Sequence, residues 1–483
     1  MKVLLTIPRS NAIPGIATYP HVGIAYLAGA LNLRSIEVRI FDMRLDTESD
    51  LIDIIRSFQP DLVGVTAFSQ GYQYAYEIIE ITKSLGNYPV VIGGPHVSAI
   101  LGKVLDDTKA DFAVKQEGEE TCLELLNAIK KGKESFRDIN GLIWRNGKKI
   151  VENPNRPPLL NLDDLPFPAY DSFELERYVW WDLKRLPILT SRGCPYSCIY
   201  CSIKLSLGSQ FRARSPDNVV EEIEYWYKKG WTTFSINDDC FNLDMNRAKK
   251  ICDLILERKL KINFSLYNGI RADRVDEDLL YKMKQSGCVM VQYGLESGND
   301  QVLKMIKKGI TVKKVVDAVN LTNKVGLNNV VNFIIGHPSE TYEKAMDSLR
   351  LAQDIPSSYV CVYNLVPYPG TDLFEWIKNN GTFNYPLEEY LKNVSYGEKT
   401  PIFETKDFST KERQKILEKG FLLHRKKLLQ FRFGRIKGFL MYLLIGKSDF
   451  LWNSALQIYE SYIPSITNMV KKKLYRKLCN IVA

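Results

Sequence analysis

Three cysteines crowd into one short stretch, Cys194-Pro-Tyr-Ser-Cys198-Ile-Tyr-Cys201, with C-x3-C-x2-C spacing. Thiols gathered this closely in a reducing compartment read as metal ligands rather than as a disulfide framework. Three thiolates can hold three corners of a four-iron cluster, which ordinarily takes four cysteines. The missing ligand carries the information. An iron without a protein thiolate is open to a small molecule that chelates through neighbouring amino and carboxylate groups. A structural zinc site asks for four ligands in closed geometry, and no fourth cysteine or histidine lies nearby in the chain. Cys122, Cys252, Cys288, Cys361 and Cys479 are scattered and read as buried, unligated thiols.

A loop of this kind has to be placed by a strand, and the pattern around it supplies one. Strand-like runs at 187–190, 233–236, 262–266, 289–293, 331–335 and 359–366 alternate with helical stretches. In one of these, Pro216 and Asp217 give a helix start signal. Six βα units over this length predict a partial barrel rather than a closed eightfold one, with functional residues just past the strand ends. Before it, strand-like runs at 3–7, 38–41, 62–67, 90–92 and 112–114, with a helix at 21–32, predict a parallel, doubly wound sheet that binds ligands at the carboxyl ends of its strands. Residues 141–151 read as a hairpin turning at Asn146-Gly147. Pro154, Pro157, Pro158, Pro166 and Pro168 then mark a stiff connector. The expected division is 1–150, a linker 151–185, a barrel 186–395, and a basic, helical C-terminal region 396–483 whose pattern is all helical from about Lys411.

The chain has 483 residues, 45% hydrophobic and 25% charged, values typical of globular proteins and of two or three domains. Met1-Lys2 runs straight into Val-Leu-Leu-Thr-Ile, with no secretory pattern, so a cytoplasmic setting is expected. The net charge of +9 is uneven: from Phe421 onward twelve Lys/Arg face two acids, Asp449 and Glu460. The tail carries the charge, and the body is near neutral.

The run Arg192-Gly-Cys-Pro-Tyr-Ser-Cys-Ile-Tyr-Cys, followed by Phe211-Arg-Ala-Arg-Ser-Pro-Asp-Asn-Val-Val-Glu-Glu-Ile, resembles the cobalamin-dependent branch of the radical S-adenosylmethionine (SAM) superfamily. That branch includes class B methylases and the anaerobic magnesium-protoporphyrin monomethyl ester cyclases, and the likeness covers residues 1–395. It implies a [4Fe-4S] cluster on Cys194, Cys198 and Cys201, with SAM on the open iron. It also implies a small-molecule substrate and an external one-electron reductant. Tyr200 precedes the last cysteine, and Asn237-Asp238-Asp239-Cys240-Phe241 is similar to the branch's Asp-Asp-x-Phe form; either Asp238 or Asp239 would accept from the SAM ammonium. Arg271 could pair with the SAM carboxylate. Tyr293-Gly-Leu-Glu296-Ser resembles the strand-four motif that binds ribose or the amino group. Asn332-Phe-Ile-Ile-Gly336-His-Pro resembles the strand-five motif beside adenine, and Pro367-Tyr-Pro-Gly370-Thr371 the strand-six loop. His337 is a lone loop histidine with no partner motif to make it a base.

In the front domain, Pro20-His-Val-Gly23-Ile-Ala-Tyr-Leu resembles the family's opening motif. The likeness implies a cobalamin site drawing on Ser69 and Gln70 after the third strand, on Gly93, Gly94 and Ser98 along the nucleotide tail, and on Glu117, Gly118 and Glu119. The Asp-x-His-x-x-Gly motif that gives cobalt a histidine is absent, so His21 and His96 are left to other roles.

Residues 424–447 hold seven Lys/Arg, several aromatics and no acid, and the sequence ends in Lys471-Lys-Lys-Leu-Tyr-Arg-Lys. The apolar stretch 439–445 is far short of the ~20 residues that span a bilayer. This composition suits a helix lying in a membrane interface, or else a solvated basic face. No nucleic-acid motif accompanies the charge. Three functions follow: cobalamin-dependent radical methylation of a substrate favoured to be apolar, radical cyclisation, rearrangement or oxygenation without methyl transfer, or a non-catalytic sensor.

Overall fold

The structure is a computed structural model that describes residues 1–9, 19–132, 136–178, 184–392, 394 and 399–462, with side chains described up to 455. The basic cluster from Lys471 and Cys479 lie outside these residues.

Strands β1 (Lys2–Ile7), β2 (Glu37–Asp42), β3 (Leu62–Thr66), β4 (Val90–Gly93), β5 (Phe112–Val114), β6 (Leu142–Asn146) and β7 (Lys149–Glu152) form one sheet in the order β2-β1-β3-β4-β5-β6-β7. The first five are parallel, and β6 and β7 are added antiparallel. Alternation along β1 decides its two faces. Val3, Leu5 and Ile7 pack under the helices Val22–Asn32 and Glu119–Lys130, whereas Leu4 joins the core beneath Glu48–Phe58 and Tyr72–Ser84. The strand order reverses between β1 and β3, where a doubly wound sheet opens a crevice. The hairpin forms as expected but turns one residue later: Asn146 pairs with Lys149, leaving Gly147-Lys148 as the loop with Gly147 at φ +60°.

The connector is more than a spacer. Tyr170 is fully buried and donates to the Pro187 carbonyl at 2.6 Å, and the Ala169 N–H donates to Ala25 O at 2.9 Å. It thereby fastens the front domain to the start of the second.

That second domain begins with β8 (Leu186–Ile188). A small ribbon follows, β9 (Ser191–Arg192) paired antiparallel with β10 (Arg212–Ala213). Then come β11 (Thr233–Ile236), β12 (Asn263–Ile270), β13 (Cys288–Glu296), β14 (Asn328–Ile335) and β15 (Tyr359–Asn364). Six parallel strands run β15-β14-β13-β12-β11-β8, and β8 and β15 are the two edges of the sheet, so the barrel is open. The outer helices start where a polar side chain satisfies an orphan N–H: Ser215, Asp244, Asp276, Thr311 and Thr341 each accept from a backbone N–H three residues on.

The helix Thr410–Phe433 falls in the region expected to be basic and helical, and it packs on β15 and on the helix Tyr342–Asp354. A Cβ at Gly420 would lie 2.6 Å from Val362, so only a glycine allows this approach. The first helix of the C-terminal region is part of the barrel wall. Beyond it, the helix Arg435–Met441, a π-helical turn Tyr442–Gly446 and the helix Asp449–Tyr462 complete the described chain.

Candidate active site

The cysteine loop leaves the ribbon directly after β9. Gly193 sits at φ +81°, and a Cβ there would meet Gln210 O at 2.3 Å, so the turn into Cys194 requires glycine. Asp238, buried at the end of β11, anchors the loop's base. It accepts from the Thr190 N–H at 2.6 Å, from the Ser191 hydroxyl at 2.7 Å, and from the Thr190 hydroxyl. Both oxygens are committed, which takes Asp238 away from the SAM role expected of it. Asp239 accepts from Gly193 N–H at 3.2 Å. Burial, reinforced by the Asp238 charge, raises its carboxyl to about 7.

Cys194, Cys198 and Cys201 are all partly accessible, whereas Cys122, Cys240, Cys252 and Cys288 are buried; Cys361, expected to be buried, is partly accessible on β15. A hydrogen bond with the Cys240 thiol holds Cys194 below the usual thiol range, against burial and with help from Arg271 and Lys308. Burial pushes Cys201 up to about 11, with charge at Cys198 and Cys194 adding to it. The three thiols therefore feel one another, and two cations face them. Among the described residues no three His, Cys, Asp or Glu side chains gather as ligands of one ion. A cluster of four irons does not require that, since its thiolates ligate the cluster's separate corners. Three accessible thiols with cations to balance their charge fit such a group.

Beside the loop stands a compact polar cage. Lys308 donates to Glu296 Oε1 at 2.7 Å and to the Tyr200 oxygen at 3.1 Å, and the Tyr200 hydroxyl donates to the same Glu296 oxygen at 3.2 Å. Glu296 takes φ +74° at a register shift where β13 leaves β14, a strained backbone of the sort that clusters at functional sites. Burial opposes the Lys308 charge, but Glu296 overrides it and the ammonium is held above its usual range. Arg271 is engaged elsewhere. Its guanidinium donates to Asp273 at 2.8 and 3.0 Å and to Lys308 O at 2.9 Å, and it lies 3.7 Å from the Tyr196 ring centre. Arg271 thus shapes the 308–309 loop, and Lys308 is the cation that faces the expected SAM residues. The sequence reading missed Lys308 because it ends a lysine-rich segment that resembles a solvated helix face. Gly309, at φ +73°, is the residue in the sequence that marks the turn, and Lys307 at φ +54° belongs to the same turn.

The strand-five end closes the cage. The Gly336 and His337 N–H groups donate to Glu340 at 2.6 and 3.2 Å. Burial raises Glu340 to about 7 and drops His337 to about 3. His337 is fully buried, 5.7 Å from the Tyr200 ring, with neither ring nitrogen hydrogen-bonded. It is a neutral wall rather than a base.

Over the sheet crevice lies a cavity of about 380 Å³, walled mainly by apolar groups of β1, β3 and β4 and reaching Leu189, Ile203 and Asp239 beside the cysteine loop. Gly93, Gly94, Glu117, Gly118 and Glu119 line it. Ser69, Gln70 and Ser98 are not among its walls, and each bonds inside the protein: Ser69 to His96 at 3.2 Å, Gln70 to Val394 O, and Ser98 to the Gln116 N–H at 2.8 Å. Gly94, at φ +102°, is glycine because a Cβ would lie 2.7 Å from Ala67 O, a packing reason rather than a ligand's. His21 caps the helix Val22–Asn32 through Nδ1, which accepts from Ile24 N–H at 3.1 Å, and burial lowers it to about 4. An apolar crevice at the strand ends, open toward the cysteine loop, fits a large flat cofactor.

A half-barrel carrying a three-cysteine loop, with the doubly wound domain's cavity reaching residues beside that loop, has the arrangement of an enzyme class with two adjacent cofactor sites. Comparison with known proteins gives the class its family. The Radical SAM superfamily profile matches residues 188–352, and the B12 binding domain profile matches residues 17–126. An uncharacterized methyltransferase of Pyrococcus horikoshii is 33% identical over 431 residues, spanning 87% of this chain and 92% of that protein. The anaerobic magnesium-protoporphyrin IX monomethyl ester cyclase of Rubrivivax gelatinosus is 27% identical, spanning 92% and 79%. The solved structure of TsrM, a radical SAM methyltransferase of Kitasatospora setae with cobalamin and a [4Fe-4S] cluster bound, shares the fold at a TM-score of 0.67. It is 22% identical, and the match covers 78% of this chain and 74% of that one. The chain belongs to the cobalamin-dependent radical SAM enzymes, and its cofactors are a [4Fe-4S] cluster, SAM and cobalamin.

Proposed function

We propose that this enzyme transfers a methyl group from SAM, by way of cobalamin, to an unactivated atom of a small molecule. When bound, the cluster would supply the electron that cleaves SAM to a carbon radical, and cobalamin would carry the methyl group. Cys194, Cys198 and Cys201 would hold the cluster. The carrying observation is the cysteine loop's position: the apolar cavity reaches Leu189, Ile203 and Asp239 beside it, and its own Tyr200 is bonded to Glu296 and Lys308. Glu296 can accept from two hydroxyl or ammonium donors at once, and Lys308 can pair with a carboxylate, so together they match the polar ends of SAM. Buried His337 and Ile335 exclude water beside them. The methyltransferase relative supports methyl transfer.

Anaerobic reconstitution with iron, sulfide and cobalamin, followed by reduction and product analysis, tests the reading. S-adenosylhomocysteine together with 5′-deoxyadenosine is expected. 5′-Deoxyadenosine alone would favour the cyclase-like chemistry instead.

The substrate is proposed to be apolar and met at a membrane surface. Ile436, Leu444 and Phe450 are 77%, 72% and 77% exposed, with Arg435, Lys437 and Lys447 among them. The nearest acid, Asp449, is already paired with Lys399 and with Arg425 at 2.7 Å. No helix among the described residues is long and apolar enough to cross a membrane. Exposed apolar side chains interspersed in the chain with cations suit the interface of an anionic bilayer.

A further inference from the structure

Glu117 and Glu119 stand in the wall of the front cavity, and a cofactor contact is what their position suggests. Their carboxylates are already engaged by two arginines, one of which, Arg192, lines the same cavity. Arg192, two residues before Cys194, donates to Glu117 at 2.6 Å and to Glu119 at 2.7 Å. Arg212, its register partner across the β9–β10 ribbon, donates to the second oxygen of Glu117 at 2.7 Å. The two guanidiniums keep 6% and 2% side-chain exposure, and the two carboxylates 14% and 12%. Arg192 also lies over the Tyr26 ring of the front domain at 5.0 Å. Two positive and two negative charges thus balance in a nearly dry seam. One side of it belongs to the cavity wall and the other to the ribbon from which the cysteine loop springs.

Apolar packing alone would leave two domains free to slide by a fraction of a side chain. A forked guanidinium shared between two fixed carboxylates does not, because its donors have set directions and its charge is unscreened when buried. We propose that Arg192, Arg212, Glu117 and Glu119 are positioning residues that lock the cysteine loop to the cavity wall and so fix the spacing of the two cofactor sites. The inference rests on the reading that the cluster and cobalamin occupy these two sites, and it does not depend on which reaction they perform.

The test uses the full chain loaded with cluster and cobalamin, in Arg192→Lys and Glu119→Gln variants. Lysine keeps the charge but cannot fork, and glutamine keeps the shape but removes one charge. Electron paramagnetic resonance of the reduced cluster beside cob(II)alamin reads their spin–spin interaction, a measure of spacing that needs no turnover. The native protein should show one resolved splitting. Both variants should bind hydroxocobalamin and iron in native amounts and lose the resolved splitting to a broad distribution. Exposed Asp107→Asn on the front domain should change nothing. Retention of the native splitting in both variants overturns the proposal. So does loss of either cofactor from both, which would make the seam a folding contact only. Absence of methyl transfer in the native protein would instead count against the proposed function and leave this result readable.

Discussion

Glu296 shows at a single residue how the site is assembled. Its backbone is strained, its carboxylate is nearly buried, and both of its close donors come from other loops. Glu296→Gln should leave the Lys308 ammonium buried without its counter-charge. Losing a hydrogen bond to a charged group costs ~1.5–3 kcal/mol, so SAM affinity measured by equilibrium dialysis should fall about 10- to 100-fold. Unchanged affinity would remove Glu296 from the SAM site. Glu340 makes a prediction of the opposite kind. Burial raises its folded pKa from 4.5 to about 7, so the folded state holds the proton more tightly than the unfolded chain. Its contribution is neutral below pH 4.5 and becomes a penalty, on the order of 3 kcal/mol, once pH passes the folded value. Glu340→Gln should therefore raise the Tm more at about pH 8 than at about pH 5; a pH-independent difference would contradict this. The cysteine trio was legible in the sequence because its chemistry is local. Lys308 was not, because its meaning lies in a contact made across loops, and Arg271 drew the assignment that Lys308's position better supports.

At the scale of elements, period and punctuation carried most of the architecture. The five parallel strands of the front sheet, the six of the half-barrel and the capped helix at Ser215 all fall where alternation and start signals put them. Departures occur where a tertiary contact outweighs a local signal. The hairpin turn moved one residue because β6 pairs through Asn146. The proline-rich connector packs because Tyr170 finds a buried acceptor on β8. The helix Thr410–Phe433 joined the barrel although its charge reads as a tail, since Gly420 and buried Ile416 and Leu417 lie on one of its faces. Gly420→Leu should overfill that contact against Val362 at a cost of about 1–3 kcal/mol, read as a lower Tm, with cobalamin binding in the distant front domain kept. A Tm equal to the native value would show that the helix is not part of the barrel wall.

Across the whole molecule, the proposed membrane contact rests on the exposed apolar residues Ile436, Leu444 and Phe450 of the C-terminal helices and on the basic residues beside them. Flotation with vesicles containing anionic lipid should capture the protein at low salt and release it as ionic strength shortens the screening length. Capture should weaken in Ile436→Asp, whose side chain is 77% exposed and free to change without disturbing the core. No capture at low salt would withdraw the membrane reading and leave the cleft's chemistry untouched. That chemistry depends on an iron that the chain leaves open to SAM. Electron paramagnetic resonance of the reduced, iron-loaded protein, recorded before and after SAM is added, tests it most directly. The signal should change on addition of SAM, and 5′-deoxyadenosine should accumulate in the same sample. A signal that ignores SAM, with no cleavage, would contradict the account.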